Sequence, residues 1–93
     1  MREYELVMVL SPEVDEEGVT GVVDRITEFI TGQGGSITRQ ENWGIRRLAY
    51  PIQKFREGNY VLAQMTLEPS VTRELEENIK ASGEVLRYLL VKT

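Results

Sequence analysis

The chain has 93 residues, which is enough for one domain spanning 1–93 but too few for two independent hydrophobic cores. It contains no Cys and no His, so disulfides, thiolate metal sites and the commonest general base are excluded. The formal net charge is −4, yet residues 39–56 carry five Lys and Arg against one acid, Glu41, which leaves −8 on the rest of the chain. This asymmetry predicts a cationic margin on an otherwise acidic domain.

The first third of the chain predicts a strand and then a helix. Residues 2–10 alternate in polarity, with Leu6, Met8 and Leu10 on one face and Glu5, Val7 and Val9 on the other. From about residue 15 to residue 31, apolar side chains recur with the spacing of an amphipathic helix, at Val19, Val22, Val23, Ile26, Phe29 and Ile30. The glycine-rich segment 32–35 ends this helix.

Residues 36–52 predict a long second strand that changes face part-way. Its apolar positions are odd at Ile37 and Trp43, then even at Leu48 and Tyr50. Because a strand has a period of two, this switch of parity indicates a bulge or a sharp twist, and Gly44 is the natural place for it.

The remaining elements are a hairpin return, a second helix and a last strand. Residues 54–59 are expected to form the hairpin turn and residues 60–68 the return strand. Ser70 is expected to cap a second helix, whose apolar face contains Val71, Leu75 and Ile79. Gly83 ends that helix, and residues 85–92 form the last strand.

The element order is strand, helix, strand, strand, helix, strand. With right-handed crossovers this order predicts an α+β, ferredoxin-like βαββαβ fold, in which two helices cover one face of a four-stranded antiparallel sheet. The second strand lies at an edge of this sheet, and the first and third strands are central.

The sequence offers no catalytic site. Without His or Cys, catalysis would need paired carboxylates, a lysine nucleophile or a metal held by oxygens, and the carboxylates lie mainly on polar helix faces. No phosphate-binding glycine loop precedes a helix. We therefore expect a protein that is not an enzyme and has no cofactor and no metal. No apolar run is long enough for a membrane span, and the first residues lack a signal-peptide layout, so a cytoplasmic protein is expected.

The helix-free face of the predicted sheet lacks the features of the RNA-recognition motif. That module stacks bases on paired aromatics of its two central strands. At the corresponding positions of this chain, Tyr60 is the single aromatic residue. Reading of single-stranded RNA by base stacking is therefore not expected.

The segment 43–54 combines paired arginines with large aromatics on the predicted edge strand. In one interpretation, the charges on this edge have a single role, which is to prevent aggregation between sheets. Alternatively the segment is a contact surface, because Arg, Trp and Tyr are enriched at interface hot spots and arginine binds phosphate oxygens in a forked geometry.

This same segment resembles the signature W/L-G-x-R-R-L-A-Y-P-I-x-K of the bacterial small-subunit ribosomal protein six family. The opening Met1-Arg2-Glu3-Tyr4-Glu5 is similar to that family's M-R-x-Y-E start, Gly58-Asn59-Tyr60 to its G-x-Y motif, and residues 85–92 to its last strand. The resemblance spans the whole chain and implies the same ferredoxin-like fold. This chain stops at Thr93, whereas many members continue into a tail.

The resemblance implies a structural role in the small ribosomal subunit. It also implies that the chain, like members of that family, pairs with ribosomal protein eighteen, a basic protein, and that the pair binds the central domain of the small-subunit ribosomal RNA during assembly. No membrane and no small-molecule substrate is implied. The alternative that the residues leave open is a small-molecule-binding regulatory domain on the same fold.

Two sets of contact residues are predicted from the fold and this resemblance. The RNA-binding set consists of Arg2, Tyr4, Arg46, Arg47, Lys54, Arg87 and Lys92. Within it, Tyr4 is equally compatible with a place at the rim of the core, and Arg87 with a solvated strand position. The set for the protein partner consists of Trp43, Ile45, Tyr50, Leu62, Leu89 and Val91.

Overall fold

A computed structural model describes residues 1–93 and contains the six expected elements. The four strands are β1 (Arg2–Leu10), β2 (Ser36–Ile52), β3 (Phe55–Leu67) and β4 (Val85–Lys92), and the two helices are α1 (Glu16–Gly32) and α2 (Thr72–Ala81). The strands form one antiparallel sheet in the order β2-β3-β1-β4. The predicted ferredoxin-like fold is therefore confirmed, with β2 at an edge and β1 and β3 in the centre.

The hydrophobic core lies between the sheet and the two helices. Leu6 and Leu10 of β1 are fully buried in it, together with Ile30 of α1 and Leu75 of α2. The odd-numbered residues of β3 from Val61 to Leu67 face the same core. Both helices therefore cover one face of the sheet, and the even-numbered residues of β3 point to the helix-free face.

The two helices begin in different ways. The Asp15 carboxylate accepts a hydrogen bond from the backbone N–H of Gly18 at 2.8 Å and so caps α1. The predicted cap of α2 by Ser70 is wrong. A short 3-10 turn, Pro69–Val71, precedes that helix, and the Thr72 hydroxyl donates to the Pro69 carbonyl at 2.8 Å.

The hairpin between β2 and β3 turns earlier than predicted. Ile52 pairs directly with Phe55, so the turn consists of Gln53 and Lys54 rather than residues 54–59. Gln53 has a φ of 56°, the left-handed conformation that tight hairpin turns need in order to match strand twist. Residues 55–58 therefore belong to β3, and the hairpin is longer than the sequence indicated.

Residues 46–58 form a projection, the hairpin arm, because β1 ends at the level of Asn59. Leu10, the last residue of β1, is paired with Asn59, so nothing extends the sheet beyond that point on the β1 side. The predicted bulge occurs just before the arm. The register shifts between Asn42 and Gly44, and Gly44 has a φ of 79°.

Candidate binding surface

The hairpin arm bends over the helix-free face of the sheet as far as β4. The Arg87 guanidinium of β4 donates a hydrogen bond to the Tyr50 hydroxyl of the arm. The same guanidinium lies 5.6 Å from the centroid of the Tyr50 ring, within the range of a cation–π contact. Because β3 and β1 lie between β2 and β4, this contact requires the arm to cross the sheet.

Gly58 allows the arm to approach β1 closely. A Cβ atom at this position would lie 2.3 Å from Cγ1 of Val9, nearer than any side chain can pack, and 3.5 Å from Leu48. Gly58 is buried, and its partner across the hairpin is Arg46. The absence of a side chain at residue 58 therefore permits the arm to lie on the sheet.

An apolar groove of about 340 Å³ lies between the arm and the sheet. Its floor is formed by the helix-free faces of β1 and β3, its near wall by the arm and its far wall by β4. From floor to near wall to far wall, the lining residues are Val7, Val9, Tyr60, Leu48, Ala49, Tyr50, Ile52, Arg87, Tyr88 and Leu89. A groove of this kind suits apolar side chains of a partner, with Arg87 as a polar group at its margin.

Beside the groove, Trp43 stacks on Tyr60. The ring centroids are 6.3 Å apart and the ring planes are inclined by 13°. The Arg46 Nε donates to the carbonyl of Trp43 at 3.3 Å, so its guanidinium is held at the same place. The bulge at Gly44 produces this cluster, because it leaves Trp43 as an extra residue between the pairs Asn42–Val61 and Gly44–Tyr60.

The cations of the arm are free of intramolecular ion pairs. The arm contains Arg46, Arg47, Lys54 and Arg56, all exposed, and one acid, Glu57. The four ion pairs of the molecule involve other groups, namely the amino terminus, Arg25, Arg39 and Arg73. The predicted cationic margin is thus concentrated on the arm, where it remains available to anions.

Comparison with known proteins identifies the family. The model of the family "Ribosomal protein S6" matches residues 3–92. The chain belongs to the ribosomal protein S6 family. The small ribosomal subunit protein bS6 of Moorella thermoacetica is 46% identical over 99% of this chain and 94% of its own length. That of Caldanaerobacter subterraneus is 47% identical over 100% of this chain and 98% of its own length.

Solved structures agree with this membership of the S6 family. The crystal structure of 30S ribosomal protein S6 from Thermotoga maritima has a TM-score of 0.92 and 30% identity, and the match covers 99% of this chain and 87% of that one. A protein from Arabidopsis thaliana, with a TM-score of 0.60 and 11% identity, shares the fold alone. The S6 family is structural rather than enzymatic, as the sequence indicated.

The predicted RNA-binding residues of this S6 family member lie at two opposite ends of the sheet. Arg46, Arg47 and Lys54 lie on the arm, and Arg87 lies beneath it. Arg2 and Lys92 lie at the other end, where β1 begins and β4 finishes. From Arg2 to Leu10 the strand rises roughly 26 Å, at about 3.3 Å per residue, so the seven residues do not form one patch.

Tyr4 is a core residue. Only 8% of its surface is exposed, and it packs in the main hydrophobic cluster with the other even-numbered residues of β1. Its neighbours across the sheet are Met65 and Lys92. Because the ring faces the helices, its place agrees with the core position that the sequence left open, and the RNA contact of Tyr4 stays a prediction that its burial does not favour.

The predicted partner residues are divided in a similar way. Leu62 does point to the helix-free face, but it is only 6% exposed, because it lies in a central strand between Val7 and Glu41. Its burial therefore argues against the predicted contact of Leu62 with the protein partner. The other five are well exposed, from 42% at Trp43 to 61% at Leu89; they are Trp43, Ile45, Tyr50, Leu89 and Val91.

Ile45 is separated from the rest of this set by the orientation of β2. Its neighbour Arg46 pairs with Gly58, which faces Val9 on the helix-free side, so Ile45 points to the opposite side of the arm. Tyr50 and Leu89, in contrast, both line the groove. Val9 and Tyr60, which the sequence placed on the helix-free face, also line it. Leu48 lines it as well, and its place was not predicted because it depends on the curl of the arm.

The structure contains neither a cluster of metal ligands nor a membrane-spanning helix. No group of three or more acidic side chains is arranged to hold a metal ion. Neither helix is both long enough and apolar enough to cross a membrane.

Proposed function

We propose that this chain binds the central domain of the small-subunit ribosomal RNA together with ribosomal protein eighteen during assembly. Membership of the S6 family makes it a structural protein of the small ribosomal subunit, and hence of the cytoplasmic ribosome. The proposal extends this role to a specific RNA region and to one protein partner. The observation that supports it most is the group of unpaired cations on the hairpin arm.

We assign the phosphate contacts to the arm. The arm carries four unpaired cations and only one acid. Arginine can bind phosphate oxygens through two parallel N–H groups. At the far end of the sheet the balance is close to neutral, because Arg2 and Lys92 share that region with Glu3 and Glu68. Glu68 also lies 3.7 Å from the amino terminus. The arm therefore attracts phosphates more strongly than the far end does.

We assign the protein partner to the groove and the adjoining part of β4. Leu89 and Val91 are exposed apolar residues on the helix-free face, and Tyr50 forms the near wall of the groove. Glu5 is paired with Val91, so a carboxylate lies beside this apolar surface. A basic partner would gain apolar burial in the groove and charge complementarity with the acidic domain.

The RNA affinity of the isolated chain is expected to be low. The domain carries a net charge of −4, and the arm alone can neutralise only a few phosphates. Joining a basic partner adds cations next to those of the arm. Useful affinity should therefore belong to the pair and not to either protein alone.

The test is a binding titration of labelled central-domain RNA with this chain, with ribosomal protein eighteen, and with both. The pair is expected to bind much more tightly than either protein, and its affinity should fall steeply with salt concentration. Tight, selective binding by this chain alone at physiological salt would contradict the proposal. A pair that binds no better than the partner alone would contradict it as well.

A further inference from the structure

Trp43 presents one ring face to solvent while the other rests on Tyr60. The separation and the small angle between the two rings are those of an offset aromatic stack. Trp43 is nevertheless 42% exposed. Since one face of the indole is covered by Tyr60, the exposed area belongs to the opposite face and the ring edge.

The orientation of the indole ring is set by a chain of polar contacts. The Trp43 Nε1 donates to Oε1 of Glu41 at 3.2 Å. Glu41 in turn forms an ion pair with Arg39 on the same edge strand. A ring held in this way loses little conformational freedom when a second flat group stacks on it.

The cluster is also cationic. Glu41 is its single carboxylate, and that charge is paired with Arg39. Arg46 uses its Nε for the Trp43 carbonyl, which leaves both terminal nitrogens of the guanidinium for an anion. Trp43, Arg46 and Tyr60 line an open depression of about 430 Å³.

We propose that Trp43, Tyr60 and Arg46 form a subsite for one unpaired nucleobase of RNA. The base stacks on the free face of Trp43, and a neighbouring phosphate contacts Arg46. This inference rests on the proposed function and specifies part of it, an RNA contact through a base rather than through phosphates alone. It moves Trp43 from the surface predicted for the protein partner to the RNA side.

Charge favours RNA over a protein side chain at this position. A basic partner protein would meet Arg46, which forms no ion pair, and like charges at close range oppose binding. A nucleotide supplies the two complementary features, a flat ring and a negative charge. Tyr60 also lies in the floor of the groove, so the base subsite and the proposed protein site are adjacent.

The first experiment uses Trp43 as a reporter, because it is the single tryptophan of the chain. A short oligoadenylate is titrated into the full chain, and a ribose-phosphate oligomer of the same length without bases serves as the control. Stacking should quench the Trp43 fluorescence with the oligoadenylate and not with the abasic oligomer. Equal quenching by the two probes would overturn the proposal, since it would show that phosphates alone are recognised. No quenching by the oligoadenylate up to saturating concentration would overturn it as well.

The second experiment uses the pair with ribosomal protein eighteen and the central-domain RNA. Trp43→Ala should lower the RNA affinity of the pair at least about fivefold, because stacking of one base contributes roughly 1–3 kcal/mol. Trp43→Phe, which keeps a flat ring, should retain most of the affinity. Thermal melts of both variants verify that they are folded.

The outcomes of this second experiment separate the two hypotheses. If the wild-type pair fails to bind RNA, the proposed function is wrong, and the oligoadenylate titration still decides the base subsite. If the pair binds RNA but Trp43→Ala has no effect, only the base subsite is wrong. A fluorescence change on adding the partner protein alone, with no further change on adding RNA, would show that the protein covers Trp43. That result would also overturn the proposed base subsite.

Discussion

Gly58 is the residue on which the position of the hairpin arm depends. Residue 58 lies against β1, with no room for a Cβ beside Val9. Gly35 is crowded for a similar reason, since a Cβ there would lie 2.4 Å from the carbonyl oxygen of Thr66. Gly21, in contrast, lies in α1 with nothing within 4 Å of its Cβ position. Identical Gly→Ala changes should thus have opposite effects at different positions.

Gly58→Ala is expected to destabilise the protein by about 1–3 kcal/mol, the usual cost of overpacking. Gly21→Ala, the matched control, should stabilise it by about 0.5–1 kcal/mol, because alanine is favoured inside a helix. Urea denaturation of both variants and the wild type measures the two effects. A neutral or stabilising Gly58→Ala would mean that the arm does not rest on β1.

The unfolding free energy is expected to depend on pH through the carboxyl group of Glu84. A backbone hydrogen bond at Glu84 lowers the pKa of this carboxyl, and Arg25 and Ser82 lower it further, although burial acts in the opposite direction. The Arg25 guanidinium donates to Glu84 Oε2 at 3.3 Å and to the Ser82 hydroxyl at 2.9 Å. These contacts join α1 to the segment that connects α2 with β4.

Because the pKa of Glu84 is lower in the folded state, its ionised form stabilises the fold above about pH 4.5. This contribution is lost as the pH falls through the folded-state pKa. Glu84→Gln should therefore weaken the pH dependence of the unfolding free energy at acidic pH, measured by urea denaturation at a series of pH values. Glu13→Gln, at an exposed residue without an ion pair, should keep the wild-type pH dependence. Equal profiles for Glu84→Gln and wild type would contradict this prediction.

The strand β2 has two halves with different environments. Its first half is an ordinary edge strand beside β3, and its second half belongs to the arm. The bulge at Gly44 separates them and reverses the side chains, so that Leu48 lies on the groove side. Tyr50 and Ile52 also line the groove, beyond Arg47, where the register shifts again before Ile52. A strand without the bulge would direct Leu48 to the other side of the arm.

Substitutions at Leu62 and Leu89 test which residues of the helix-free face are accessible to solvent. Leu62→Asp places a charge at a buried position and should cost more than about 3 kcal/mol. Leu89→Asp changes a residue that is 61% exposed, so its stability should stay within about 1 kcal/mol of wild type. Thermal and urea denaturation give both values.

Leu89→Asp should nevertheless weaken binding of ribosomal protein eighteen at least about tenfold, which corresponds to about 1.4 kcal/mol. The physical reason is that a carboxylate would have to be desolvated in the apolar groove. Calorimetry of partner binding measures the effect. Normal affinity would show that the partner does not use the β4 side of the groove.

Charge is distributed unevenly over the whole molecule, and this distribution determines where RNA is expected to bind. The acidic helices and the near-neutral far end offer little attraction for phosphates, whereas the arm projects four unpaired cations. The molecule measures 36 × 24 × 22 Å, so the two ends of the sheet can meet different partners.

Two double variants, each of which removes two positive charges, compare the arm with the far end of the sheet in RNA binding. Arg46→Gln with Arg47→Gln should lower the salt dependence of RNA binding by the pair, with the slope of log K against log salt reduced by about two. Arg2→Gln with Lys92→Gln should leave the slope nearly unchanged. Both double variants alter exposed residues, so their stability should stay within about 1 kcal/mol of wild type. A larger change of slope for the second variant would place the RNA at the far end of the sheet.

Much of the fold could be predicted from local pattern. The bounds of β1, β2 and β4 agree with the alternation of polarity, because burial of one sheet face imposes a period of two on each strand. The bulge near Gly44 was visible as a change of parity. The turn of the hairpin was missed, because Gln53 adopts a conformation for which glycine or asparagine is the usual signal.

The sequence by itself determined the element order, the cationic segment and the family resemblance, since each depends on neighbours along the chain. The edge position of β2 then follows from the element order and the right-handed crossovers. Only the tertiary structure decided which of the predicted contacts are accessible. Tyr4 faces the helices, Leu62 is enclosed between neighbouring strands, and Trp43 meets Tyr60. The physical reason is that exposure depends on contacts between residues that are distant along the chain. The helices cover Tyr4, the strands on either side enclose Leu62, and the arm is held over the sheet by Arg87 with Tyr50 and by Gly58 with Val9.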